Sequence, residues 1–167
     1  MFHLLLSDLH LGAADALEDF LLWGDTLGGP PEEDRPEAAA ALDRRFAEFL
    51  PQQAKRARAL GERPHLLLLG DIFDLWQAQH HGEKPREALL RILEAHRGFV
   101  VAVREWLRAG GLVTYVIGNH DQPVVDPGAW GLLQEVLPGL NAQTGGGWTH
   151  FYVDVEAGLY AEHGHQW

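Results

Sequence analysis

Three short strings rich in carboxylate, amide and imidazole side chains each follow an apolar segment of the chain. They are SDLH at residues 7–10, GDIFD at residues 70–74 and GNHD at residues 118–121. A mixed set of oxygen and nitrogen ligands suits borderline first-row metal ions better than Ca²⁺, which prefers cages of oxygen alone. Two such ions about 4 Å apart would hold a phosphate ester and acidify a bound water for attack on phosphorus. The strings therefore predict a metal site with hydrolytic chemistry.

Five residues are the candidate metal ligands. Asp8 and His10 lie two positions apart, so that in an extended chain their side chains project to the same side. Asp71 offers two oxygens, which is enough to bridge two cations. Asn119 offers a carbonyl oxygen, and His163, near the C-terminal end, offers an imidazole.

His120 is the candidate general acid, because it is adjacent to Asn119 and so placed to protonate a departing oxygen. Asp74 is expected to support its neighbours by hydrogen bonding rather than to bind metal. For isolated aspartate and asparagine residues after strands, the ordinary alternative is a turn or helix-cap role. Their combination with His10 and His120 favours the metal interpretation.

Parallel strands would bring these strings together. The apolar segments 2–6, 65–69 and 113–117 predict strands of a parallel sheet, whose carboxyl ends meet at the edge where open α/β sheets bind ligands. The first strand is nearly all apolar, which predicts helices on both faces of the sheet.

The spacing of apolar residues predicts the helices. We expect one over 15–23, a polar loop over 24–36, and a helix from residue 37 that breaks or kinks at Pro51 and resumes over 52–60. A single apolar stripe from 89 to 107 predicts one helix of about six turns. A last helix is predicted over 126–137, capped by Asp126, and 149–155 with 159–161 predicts a hairpin.

Composition narrows the class of protein. With 167 residues, of which 46% are hydrophobic and 22% charged, the chain is expected to be one globular domain. A net charge of −11 argues against a broad nucleic-acid footprint, so nuclease activity is a less favoured alternative. The absence of cysteine removes thiolate ligands and disulfides. With no leader segment and no apolar run long enough to span a bilayer, a cytoplasmic location is expected.

The four strings together resemble the calcineurin-like metallophosphoesterase family. Asp-x-His, Gly-Asp-x-x-Asp, Gly-Asn-His-Asp and a later His-Gly occur in the family's order and with similar spacing. The resemblance implies an α/β fold in which a sandwich of two β-sheets is flanked by helices, in a single domain over residues 1–167. It also implies that the first ion is bound by Asp8, His10 and Asp71, and the second by Asp71, Asn119 and His163.

The same resemblance implies two divalent ions, Mn²⁺ foremost with Fe²⁺ or Zn²⁺ as alternatives, and a metal-held hydroxide as nucleophile. His120 would be the proton donor, with Asp121 and Asp74 supporting the ligands. The implied substrate is a small phosphate ester or a nucleotide-linked molecule. Its phosphodiester or pyrophosphate bond would be hydrolysed.

Two departures from the family pattern stand out. The closing Gly-His-x-His string is absent, and only His163-Gly164-His165 comes near it. The chain is therefore expected to lack the C-terminal part of the family fold and to be truncated in the second sheet. What supplies the missing histidines, whether His165 replaces one, and whether the chain is a homo-oligomer are open questions. An alternative function is a non-enzymatic protein-interaction scaffold with a vestigial or partial metal site.

The second departure concerns the substrate. The strings SDLHLG and GDIFDLW resemble the branch that contains UDP-2,3-diacylglucosamine hydrolases, whose better-known members carry arginine where His120 stands. A generic phosphodiester or pyrophosphate is therefore favoured over the lipid substrate. Among the remaining residues, His3 and His65 are predicted to pack in the core, Trp76 to pack in the core or a pocket wall, and His80 to lie in a solvated loop.

Overall fold

The chain is an α/β protein, and its computed structural model describes residues 1–13 and 35–165. The predicted helix over 15–23, nearly all of the predicted loop over 24–36 and the last two residues lie outside the described part. The strands and helices are β1 (Phe2–Leu6), α1 (Arg35–Ala59), β2 (Pro64–Leu69), α2 (Leu75–Ala78), α3 (Pro85–Ala95), α4 (Arg97–Arg108), β3 (Leu112–Val116), α5 (Pro127–Val136), β4 (Phe151–Asp154) and β5 (Leu159–Glu162).

The three predicted parallel strands form one sheet in the order β1-β2-β3. The central strand β2 is buried along its whole length, which explains its continuous run of leucines. β4 and β5 form the predicted antiparallel hairpin as a separate two-stranded sheet. The expected parallel sheet and hairpin are therefore confirmed, with strand ends shifted by at most two residues.

The two faces of the parallel sheet have different covers. Leu66 and Leu68 of β2 point into the main core with the helices. Leu67 and Leu69 alternate to the opposite face, where they pack with Tyr152 and other hairpin residues in a second, smaller cluster. The prediction of helices on both faces is thus wrong for the described residues, because the hairpin occupies one of the faces.

Helix α1 runs without interruption through Pro51, so the predicted break there is wrong. Proline removes one backbone donor from a helix. Leu50 and Ala54, on either side of it, are both buried in the main core. The apolar stripe that continues across the proline stabilises the helix on both sides of it.

The predicted single helix over 89–107 is instead two helices, α3 and α4, which meet at the buried His96. Asp43 of α1 lies at this junction. One of its oxygens lies 3.1 Å from His96 Nδ1, and the other accepts the Gly98 N–H at 2.7 Å. Asp43 thus satisfies a donor that the first turn of α4 leaves free, so a cap from a distant helix stabilises the junction.

The predicted cap of the last helix is confirmed. The Asp126 carboxylate accepts hydrogen bonds from Gly128 N and Ala129 N, and Pro127 is the first residue of α5. Among the described residues, none of the helices combines the length and the apolar character needed to cross a membrane.

Candidate metal centre

The strings lie side by side at the carboxyl edge of the parallel sheet, as predicted. The first two run alongside each other, since Asp8 N donates to Gly70 O at 3.1 Å and His10 N donates to Asp71 O at 2.9 Å. The third is joined to the second by a 2.9 Å hydrogen bond from His120 N to Asp71 Oδ1. The parallel topology therefore brings together residues that are far apart in the chain.

Asp71 is the centre of the site. Its carboxylate belongs to two groups of potential metal-binding atoms, in each of which all the atoms lie within 4.8 Å of one another. His10 and His120 complete one group, and Asp8 and His163 complete the other. Asp71 is only 4% exposed. Its Oδ2 lies 3.2 Å from His163 Nε2 and 3.9 Å from His10 Nε2, and its Oδ1 accepts the His120 N–H.

The geometry groups Asp8 with His163, whereas the sequence places it with His10. The argument from extended chain is wrong here, because Asp8 and His10 have φ angles of 55° and 45°. Asp71 is also in the left-handed region, with φ of 51°. Each such non-glycine residue costs on the order of 1 kcal/mol, and such strain clusters at functional sites. The proposed division of the ligands between the two ions stays a prediction.

His163 is oriented for binding a cation. Its Nδ1 lies 2.9 Å from the Leu69 carbonyl oxygen, which can only accept, so Nδ1 carries a hydrogen. Its Nε2 lies 3.2 Å from both Asp71 Oδ2 and Asn119 Oδ1. With the amide of Asn119 placed this way, a neutral His163 would direct a lone pair at two acceptor oxygens. A proton or a metal ion is needed between them, and metal-binding histidines commonly donate their other N–H to a carbonyl in this way.

Asp74 contacts both histidines of the group that consists of His10, Asp71 and His120. Its Oδ1 lies 3.0 Å from His120 Nδ1, and its Oδ2 lies 3.4 Å from His10 Nδ1. Burial by itself would raise the pKa of Asp74, but its contacts with the two histidines and the hydrogen bond from Gln77 N outweigh burial and hold the pKa below its usual value. Asp74 is thus an ionised support for both imidazoles, which agrees with its predicted role.

Asp121 ties the second string to the third. This fully buried carboxylate accepts hydrogen bonds from the backbone N–H groups of Phe73 at 2.8 Å, Ile72 at 3.2 Å and Gly118 at 3.3 Å. Burial raises its pKa to about 6, although the backbone donors oppose that shift. The predicted supporting role of Asp121 agrees with these contacts.

Two glycines make room for the centre, and the sequence analysis did not identify them. A Cβ at Gly118 would collide with Asp71 Oδ1, and a Cβ at Gly70 would collide with the His163 ring. Gly70 also has a φ of 79°, which other residues rarely adopt. Their positions immediately before Asn119 and Asp71 were the available signal.

Of the two places predicted for Trp76, the pocket wall agrees with the structure and the core does not. Trp76 is 68% exposed, and its ring centroid lies 5.9 Å from that of His120. Trp76 lines a cavity that also reaches Asn119 and His165. His165 is exposed, with its ring centroid 5.4 Å from that of His163.

The chemistry of the donor set suits divalent cations. The set consists of carboxylate, imidazole and amide groups, and Asp71 and Asp74 are paired with histidines rather than with a permanent positive charge. A buried carboxylate is costly unless a cation compensates it.

Comparison of the chain with protein-family models, curated proteins and solved structures found no match. Function must therefore be inferred from the residues themselves.

Proposed function

We propose that this protein is a metal-dependent hydrolase of phosphoester bonds, either phosphodiester or pyrophosphate. The observation that carries the proposal is the buried Asp71 carboxylate shared by two groups of donors. A centre of this kind suits a pair of divalent ions, of which Mn²⁺ is the first choice and Fe²⁺ and Zn²⁺ are alternatives. When bound, such ions bind phosphoryl oxygens and lower the pKa of a coordinated water.

The four strings support membership of the calcineurin-like metallophosphoesterase family, and with it a fold of two β-sheets flanked by helices. We propose both on the residues quoted above. The absence of cysteine fits a reducing compartment, and we propose the cytoplasm.

The chain's own residues supply a proton donor. His120 Nδ1 lies 3.0 Å from Asp74 Oδ1, which fixes the orientation of the imidazole ring. As a proton donor His120 would therefore use Nε2, because Nδ1 is engaged with Asp74. Asp74 also orients His10, so a single carboxylate positions both a candidate ligand and the candidate acid.

The test is an Asp71→Asn variant, which keeps the shape of the side chain and removes its charge. We expect the wild-type protein to bind about two Mn²⁺ ions, and the variant to bind less than one. Hydrolysis of bis-p-nitrophenyl phosphate should fall at least about 100-fold. Metal content by inductively coupled plasma mass spectrometry and turnover are measured on the same samples.

Asp126→Asn is the matched control, because asparagine caps a helix about as well as aspartate and Asp126 belongs to neither donor group. It should retain both metal and turnover. Unchanged turnover in Asp71→Asn would refute the assignment. Wild-type protein that binds metal but hydrolyses no phosphate ester would instead favour the interaction scaffold.

A further inference from the structure

A cavity of about 580 Å³ opens beside the candidate metal centre, a size that suits a small-molecule group. It shares Asn119 with the centre, so a molecule held at the ions would extend into it. The side chains that line it are mainly aromatic, amide and imidazole groups: Trp76, Gln79, His80, Asn119, Gln122 and His165.

Trp76 presents an aromatic face to this cavity from an anchored stretch of backbone. It belongs to the short helix α2, in which Leu75 and Ala78 are buried and which Asp74 caps by accepting a hydrogen bond from Gln77 N. Asp74 also holds His120, so one residue positions both the indole and the candidate acid. A large apolar ring that is 68% exposed at such a place has a surface available for stacking.

The charges in the cavity restrict what the ring would receive. Among the described residues that line it there is no lysine or arginine, so a group with additional negative charge would find no permanently charged partner among them. Gln79, Asn119 and Gln122 supply amides, which pair with polar but uncharged edges. Gln79 is itself anchored, since its Nε2 donates to Glu83 O at 2.5 Å.

We propose that this cavity binds the alcohol portion of the phosphoester substrate, and that this portion contains an uncharged planar ring that stacks on Trp76. The inference rests on the proposed phosphoester function of the metal centre. Aryl esters and nucleoside esters of phosphate both provide such a ring, and a nucleobase would in addition present polar edges to the amides.

The experiment measures binding by calorimetry to the Mn²⁺-loaded protein, using phosphonates that cannot be hydrolysed. Phenylphosphonate should bind about ten-fold more tightly than methylphosphonate, as expected for one stacked ring. It should also bind more tightly than cyclohexylphosphonate, whose ring is similar in size but not planar. The methylene phosphonate analogues of uridine 5′-monophosphate and of ribose 5-phosphate form a second pair, which differ in the presence of the base.

Three variants assign the preference to Trp76. Trp76→Ala should bring the ratio of phenyl to methyl affinity close to one, whereas Trp76→Phe, which keeps a planar ring, should retain most of it. Trp148→Ala is the control, because Trp148 is also exposed but does not line the cavity. It should leave the ratio unchanged.

The outcomes separate this inference from the proposed function. A preference in the phenyl pair alone supports aryl esters, and a preference in the uridine pair supports nucleoside esters. Equal affinities within both pairs, or a preference that persists in Trp76→Ala, would overturn the inference even where bis-p-nitrophenyl phosphate is hydrolysed. Ring binding that depends on Trp76 without hydrolysis of any phosphoester would overturn the proposed function and leave the binding site.

Discussion

At its two ends, the parallel sheet carries the same kinds of side chain in different arrangements. At the amino end, His3 lies 3.2 Å from Asp154, and His65 lies 2.9 Å from Thr114 Oγ1 and 3.3 Å from the Tyr152 hydroxyl. These groups form a chain of hydrogen bonds. At the carboxyl end, histidines and aspartates converge on one carboxylate, Asp71.

The backbone differs as well. Asp8, His10 and Asp71 at the carboxyl edge all have positive φ angles, whereas His3 and His65 lie within regular strands. At the amino end His3 Nε2 lies near Asp154 Oδ2 and the Tyr152 hydroxyl, and a hydroxyl can donate as well as accept. At the carboxyl end His163 Nε2 faces two oxygens that only accept, those of Asp71 and Asn119. Histidine and aspartate in proximity are therefore not enough to indicate a metal site; convergence on a shared buried ligand is the distinguishing feature.

The largest expected effect comes from adding one methyl group at the carboxyl edge. Gly118→Ala places a Cβ against Asp71 Oδ1 and must displace the shared carboxylate. We expect loss of most bound metal and at least about a 100-fold decrease in phosphodiester hydrolysis. The control is Gly131→Ala in α5, where a Cβ meets nothing within 4 Å and alanine should stabilise the helix by about 0.5–1 kcal/mol. Normal metal content in Gly118→Ala would contradict the central place of Asp71.

His120→Asn tests the candidate acid. Removal of a general acid typically costs about 100- to 10,000-fold in rate, so we expect kcat to fall by about 100-fold or more. Metal content should fall much less, because Asp8, Asp71 and His163 form a group without His120. His3→Asn, at the opposite end of the sheet, should leave kcat unchanged. A proportional loss of metal and rate in His120→Asn would make His120 a ligand instead.

The amino end should affect stability against acid rather than catalysis. Burial lowers the pKa of His65 to about 4, from 6.5 in the unfolded chain. Between these values the unfolded state binds more protons, so this group's contribution to stability is present above pH 6.5 and is lost as the pH falls towards 4. We expect the wild-type free energy of unfolding to decrease from pH 7 to pH 4 by about 2 kcal/mol more than that of His65→Gln. The free energies are measured by urea unfolding at each pH. An equal decrease in the wild type and in His65→Gln would show that His65 is not held neutral.

The smallest expected effect is that of Tyr152→Phe. Loss of the hydroxyl near His65 and His3 should cost about 1 kcal/mol in the free energy of unfolding. Metal content and turnover should not change, because Tyr152 packs on the side of the sheet away from the helices and belongs to neither donor group. A decrease in bound metal would mean that the two ends of the sheet are coupled.

Periodicity predicted the strands well, because each strand is short and fully apolar or alternating. The break expected at Pro51 and the single helix expected across His96 are both wrong, for opposite reasons. At Pro51 the packing of a long apolar stripe outweighs the loss of one hydrogen bond. At His96 an unbroken stripe conceals a junction, which Asp43 stabilises from a distant part of the chain. Local pattern contains neither of these tertiary contacts.

The types and order of the donor residues, and their positions after strands, are properties of the sequence alone. They were sufficient to predict that the three strings after the parallel strands meet, because parallel strands deliver their carboxyl ends to one edge. His163 follows the antiparallel hairpin, so this argument does not place it at the site. The tertiary structure alone decided how they meet: the left-handed turns that group Asp8 with His163, the space left by Gly118, and the exposed ring of Trp76. Those features depend on distances between segments about fifty or more residues apart, which only the packed chain determines.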